Sequence, residues 1–235
     1  GLPPSPTAEA PAEETYPFQE RLLTYIQSDN LPTDESWIYY WPRGSGDTLH
    51  LGTTRPIDYL GSRLSDVRDN RGTHCVGVSW QVCMSVLQEW ADAQDTTGQI
   101  LDMTVKDVRK FIDMWFIKLN APGDLATLSI PVEMGSVYAL SHHGLGYAVP
   151  QEDARPGDFV QFWRTDGSGH SCIFLNWVYD PQGNPIGFHY WGSQPQTDGI
   201  GTDTEYFSPS EATLDAERLV QKNRFYVGRL LPKRR

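Results

Sequence analysis

The chain is short of cysteine, of long apolar runs and of basic charge, and each shortage excludes a class of protein. Three cysteines in 235 residues, Cys75, Cys83 and Cys172, form no even-numbered disulfide framework. No Cys-x-x-Cys and no Cys/His ligand spacing is present, so neither a structural zinc site nor any other metal or cofactor is expected. No apolar run approaches the roughly 18 residues that a membrane span needs. No basic segment followed by an apolar one marks a signal peptide. A formal net charge of -11 argues against a nucleic-acid partner, because a general binder presents a basic face to phosphates. The basic run Pro232-Lys233-Arg234-Arg235 reads as a solvated terminus.

A hydrophobic content of 39% suffices for the core of one domain. Residues 1–14, with Pro3, Pro4, Pro6 and Pro11 among Ala and Glu, have no apolar period and read as a disordered leader. Residues 15–73 read as a helix, around Glu13 to Gln27, followed by a mostly irregular Pro/Gly/Asp/Arg-rich stretch from about Asp29. Residues 74–235 read as the core of the domain, in α+β order.

Within that core, Val76, Trp80, Cys83, Leu87 and Trp90 recur at helical steps, which predicts a helix from Cys75 with one apolar face and Cys83 as a core thiol. Thr104-Val105-Lys106-Asp107 resembles a capping box, opening a second helix through Val108, Phe111, Ile112, Trp115 and Leu119. From Asp158 the period changes to that of strands, over Asp158–Trp163, His170–Leu175, Gly187–Trp191 and Arg224–Leu230. Asp180-Pro181-Gln182-Gly183-Asn184-Pro185 supplies the turn that joins the second and third. Helices packed on an antiparallel sheet are the expected architecture.

Cys75 and His170 stand out chemically. The nucleophilic form of cysteine is the thiolate, and a helix N-terminus favours an anion through its unpaired N–H groups and partial positive charge. An imidazolium alongside adds to this. His170 follows Gly167-Ser168-Gly169 at the start of a strand, where a base can be held in fixed geometry. His74 reads as a local polar contact, and His142 and His143 as a helix end. A third polar residue to orient the imidazole is sought on the next strand. There Phe188, Tyr190 and Gln194 share one face and His189, Trp191 and Ser193 the other, and Gln194 is preferred over His189 and Ser193. Gln194 opens the segment Pro195–Gly201, read as a loop at a cleft. Cys172 shares the face of His170 and reads as packing.

Cys75 opening a helix, Arg155-Pro156-Gly157-Asp158-Phe159-Val160-Gln161-Phe162 and Gly169-His170-Ser171-Cys172-Ile173-Phe174 together resemble the NlpC-type papain-like cysteine peptidases and their CHAP amidase relatives. The resemblance covers about Gly72 to Leu231, and departs from the NlpC pattern at His74 and Val76, where aspartate and serine are common. It implies a papain-like fold, with Cys75 as nucleophile and His170 as base and then acid. It also implies a peptidoglycan or peptide substrate and an extracytoplasmic location. The different reading is a non-catalytic carbohydrate- or protein-binding module, for which Trp37, Tyr39, Tyr40 and Trp41 would offer stacking surfaces. Among 30 Asp and Glu no pair marks a glycosidase.

Overall fold

The computed structural model describes residues 16–28, 31, 36–42, 46–94, 96–117, 132–207 and 218–232. The leader expected over 1–14 and the helix residue Leu119 lie outside the described residues. Among the described residues four helices, α1 (Phe18–Ile26), α2 (Cys75–Ala93), α3 (Val105–Trp115) and α4 (Ser136–His142), pack with an antiparallel sheet, which makes the fold α+β. A small hairpin of β1 (Ile57–Tyr59) and β2 (Ser62–Ser65) lies within the stretch expected to be irregular. The main sheet comprises β3 (Gly146–Val149), β4 (Phe159–Arg164), β5 (Gly169–Tyr179), β6 (Pro185–Gln194), β7 (Gly199–Tyr206) and β8 (Val220–Leu230) in the order β3-β8-β4-β5-β6-β7. No helix of the described residues is long and apolar enough to cross a membrane.

The sheet separates two apolar clusters. Phe159, Ile173, Trp191 and Ile200 face the helices and join Trp80, Leu87, Phe111 and Trp115. Val160, Phe162, Cys172, Phe174, Phe188, Tyr190 and Phe225 form a second, aromatic-rich cluster on the other face. β4 is therefore buried at every residue, and its sequence carries apolar side chains on both faces, with Gln161 and Arg164 as its buried polar members.

α2 differs from the single-faced helix that the spacing predicts. Gly77, Val78, Ser79, Gln81, Val82, Met84 and Val86 are buried together with Trp80, Cys83, Leu87 and Trp90, whereas Val76 is only partly so. A helix surrounded by protein is apolar all round, and the residues between the marked steps are apolar, small or hydrogen-bonded. Ser79 Oγ shares a hydrogen bond of 3.0 Å with Ser171 Oγ and accepts one of 3.2 Å from Trp115 Nε1, while Gln81 bonds the Thr54 backbone and hydroxyl. The capping box of α3 forms as expected, with Thr104 and Asp107 bonding each other's backbone N–H.

The Arg155–Asp158 turn shows why its residues are needed. Gly157 has φ of 91°, a conformation that L side chains avoid, and its N–H donates to Phe174 O of β5 at 2.9 Å. Asp158 is fully buried, accepts from Arg155 N–H at 2.8 Å, and holds Arg229 of β8 through two oxygens at 2.8 and 2.7 Å. The turn thus ties β4 to both neighbours, β5 and β8.

A Cβ on Gly77 would stand 2.1 Å from Leu51 O and 2.7 Å from Gly52 O. Gly77→Ala should therefore destabilise the protein by about 1–3 kcal/mol through overpacking. That outweighs the roughly 1 kcal/mol by which alanine favours a helix interior. Urea denaturation of the two proteins checks it, and an unchanged or raised midpoint would refute the close approach.

Candidate active site

Cys75 is the first residue of α2 and only 7% exposed. His74 precedes it in extended conformation (φ −149°, ψ 165°) and caps the helix, its Nδ1 accepting from Gly77 N–H at 3.3 Å. Val78 N–H donates to His74 O at 3.1 Å. The N–H groups of Cys75 and Val76 are left at the helix start and, with Ser171 N–H of β5, favour the anionic form of the Cys75 thiol. Burial nevertheless raises the thiol pKa above its ordinary 9.0; those N–H groups and the positive charge of Arg164 oppose the shift without cancelling it. The His74 ring stands edge-on to Trp41 at 4.8 Å and Phe116 at 5.9 Å, so its role is capping and packing.

His170 lies one residue before Ser171, and alternation turns its ring to the face away from α2. It packs on Phe162 at 5.4 Å and Tyr190 at 5.2 Å and is 5% exposed. Burial lowers its pKa well below the ordinary 6.5, and the charges of Arg164 and Arg218 act in the same direction. Neutral thiol and neutral imidazole are therefore the resting forms, not the thiolate–imidazolium pair that the sequence suggests. A site closed to water favours uncharged groups, and the helix dipole does not offset that desolvation.

Gln194 lies on the face of His170 and is fully buried. Its Nε2 donates to Thr197 Oγ1 at 2.7 Å and to Gly201 O at 3.4 Å, while its Oε1 and His170 Nε2 have no hydrogen-bond partner. Both atoms border one notch: a Cβ on Gly192 would stand 3.2 Å from Gln194 Oε1, 3.5 Å from His170 Nε2 and 3.6 Å from Cys172 Cβ. The other two choices lie elsewhere. His189 is exposed and bonds Thr204 Oγ1 at 2.6 Å; Ser193 faces the helices and bonds Thr73 Oγ1 at 2.8 Å.

Of the remaining singled-out residues, Cys172 borders the Gly192 notch and the others sit outside it. Cys83 is buried in the helix-side core, and burial raises its pKa well above 9.0. Cys172 is raised likewise, by burial first and then by the charges of Cys75 and Glu205. His142 ends α4 and His143 caps it, the latter lowered to about 4 by burial and by His142, with its ring against Phe111 at 5.5 Å. Of the aromatic run, Tyr40 and Trp41 are exposed at 41% and 44%, and Trp37 packs against the core. Among the described residues no group of three His, Cys, Asp or Glu is placed to hold a metal.

The chain matches no family model, no curated protein and no solved structure.

One element at the site has no signal in the sequence. Arg164, at the end of β4, donates from Nε and Nη2 to Glu205 Oε1 of β7 at 3.0 and 2.5 Å, and from Nη1 to Ser168 Oγ at 3.3 Å. Its guanidinium also covers the Phe162 ring at 4.8 Å. Arg164 and Glu205 are 41 residues apart, and nothing local to either announces the pairing. Both side chains are nearly inaccessible, at 4% and 8%. Glu205→Ala should cost about 3–5 kcal/mol, because it strands a buried charge. Arg164→Met/Glu205→Leu should cost much less than that single change; thermal unfolding of the three proteins decides, and equal losses would contradict the argument.

Proposed function

We propose that this chain is a cysteine-dependent hydrolase of amide bonds, acting through a thioester. The observation that carries the reading is the Cys75 thiol set at the start of α2, where the backbone N–H groups of Cys75, Val76 and Ser171 favour its anion, Ser171 being the neighbour of His170 on β5. Such a thiol has a nucleophile's position, and the same N–H groups are donors for the oxyanion of a tetrahedral intermediate. The resemblance assigns the thiol proton to His170, neutral at rest, which then gives it to the departing amine. No hydrogen bond joins the two side chains in the resting structure, so the step requires the ring to turn from the Phe162 and Tyr190 side toward Cys75. His170 then directs water at the thioester. Gln194 is the orienting residue, since its carbonyl oxygen borders the same notch as His170 Nε2.

The substrate proposed is an amide of peptidoglycan, either within the stem peptide or joining peptide to sugar, with an extracytoplasmic location. The papain-like assignment and this substrate class rest on the resemblance in the Cys75, Arg155–Phe162 and Gly169–Phe174 segments. Trp41 and Tyr40, exposed near His74, would furnish a wall for a sugar ring. The same aromatics support the alternative of a carbohydrate-binding module without catalysis.

Hydrolysis of a panel of peptidoglycan fragments tests the proposal. Cys75→Ala should abolish cleavage, and His170→Ala should lower kcat/KM by about 10²–10⁴-fold, the usual contribution of general acid–base catalysis. Glycan binding without cleavage, equal in the wild type and Cys75→Ala, would establish the binding module instead.

The protonation states fix the pH dependence. The active form of His170 is neutral, and its pKa lies well below 6.5, so activity should persist as pH falls through 6.5 and fail only at more acidic values. Alkylation of resting Cys75 by iodoacetamide should be slow at neutral pH and climb as pH passes 9.0, with Cys83 and Cys172 slower throughout. Fast alkylation of Cys75 at pH 6 would show a preformed thiolate and overturn this account.

A further inference from the structure

The hydrogen bonds around Gln194 admit only one arrangement of protons. Gly199 O and Gly201 O are acceptors and nothing else. Thr197 Oγ1 stands 2.6 Å from Gly199 O and 3.4 Å from Gln194 O, both acceptors only, and donates its hydroxyl proton to the nearer, Gly199 O. Its lone pairs then accept from Gln194 Nε2 at 2.7 Å, and the second amide hydrogen of Gln194 goes to Gly201 O at 3.4 Å. Turning the amide over would set Oε1 against Gly201 O and against a hydroxyl with no proton left to give. Oε1 is thus held toward Gly192, where it can only accept. Gly201 helps to fix this arrangement, because a Cβ there would meet the Thr197 side chain at 3.0 Å.

At that notch His170 Nε2 is the strong hydrogen-bonding atom still without a partner, and both it and Gln194 Oε1 are buried. The Cys172 thiol, also near, is a weak donor. The Tyr190 hydroxyl is directed to Asp203 at 3.5 Å. A neutral imidazole carries one proton on either nitrogen, and an unanswered buried acceptor is costly. We propose that Thr197 sets the tautomer of His170 through Gln194: the proton resides on Nε2, directed at Gln194 Oε1 straight or through one water over Gly192, and Nδ1 keeps the lone pair. Thr197 is then a positioning residue, and Gly192 is the position whose missing side chain lets the two atoms meet. The consequence for chemistry, that Nδ1 is the nitrogen that accepts the thiol proton, rests on the hydrolase reading; the tautomer itself does not.

Two-bond ¹H–¹⁵N spectra of histidine-labelled protein at neutral pH read the tautomer directly, without substrate. The wild type should show His170 as a single form with Nε2 protonated. Thr197→Val, nearly equal in size but without the hydroxyl, should give a mixture of both forms, and Thr197→Ser should restore the single one. Gln194→Leu, which removes the acceptor, should give the same mixture and serves as the second variant if Thr197→Val does not fold. A wild type protonated at Nδ1 would overturn the proposal, as would an unchanged tautomer in folded Thr197→Val or folded Gln194→Leu. Loss of the expected hydrolysis with the tautomer result intact would refute the enzymatic reading alone.

Discussion

Thr73 and Ser193 share a hydrogen bond of 2.8 Å, and Ser79 and Ser171 one of 3.0 Å, all four residues fully buried. Together they bind the chain just before α2 to β6 and the second turn of α2 to β5. Cys75 lies between these two attachments. The position of its sulfur on Ser171 N–H follows from how far the helix start can approach two strands, and small residues set that approach. Gly77 permits it on the outer side, where Leu51 O and Gly52 O lie against the helix. Buried hydroxyl pairs suit the task, because each hydroxyl donates and accepts and leaves no unsatisfied group in a dry interface.

The same dryness governs the electrostatics. With the thiol and the imidazole both removed from water, burial disfavours the charged form of each. Arg164 is the nearby fixed charge, and its pairing with Glu205 limits how far it can assist an anion at Cys75. A carboxylate that neutralises Arg164 and also keeps it on the Phe162 ring stabilises the His170 side of the sheet.

Much of the frame was legible because local rules decided it. The capping box at Thr104, the Asp180–Pro185 turn and the strand rhythm after Asp158 each depend on a few neighbouring residues, and all appear where the pattern places them. β7 was not legible, since Gly199-Ile200-Gly201-Thr202-Asp203-Thr204 lacks the apolar alternation of a strand and is held by pairing with β6 instead. β3 was missed for its shortness and the β1–β2 hairpin for its polar, turn-rich surroundings. At the site, alternation could sort His189, Ser193 and Gln194 into faces but not say which face His170 joins. That depends on contact between β5 and β6, as the Arg164–Glu205 pair depends on contact between β4 and β7 across intervening strands. Such facts belong to the tertiary structure.

The sheet order carries one more consequence. β8 lies between β3 and β4, so the strand formed latest in the chain fills an inner place in the sheet. During synthesis, β4, β5 and β6 can pair as hairpins once they emerge, but β3 stays detached and β4 keeps an open edge until Leu230 is free of the ribosome. The hairpin that bears His170 is thus available early, whereas the buried Asp158–Arg229 pair and the continuous core form last. Closure of the main sheet is in this way timed to the arrival of β8, and nascent chains halted upstream of Val220 remain without it.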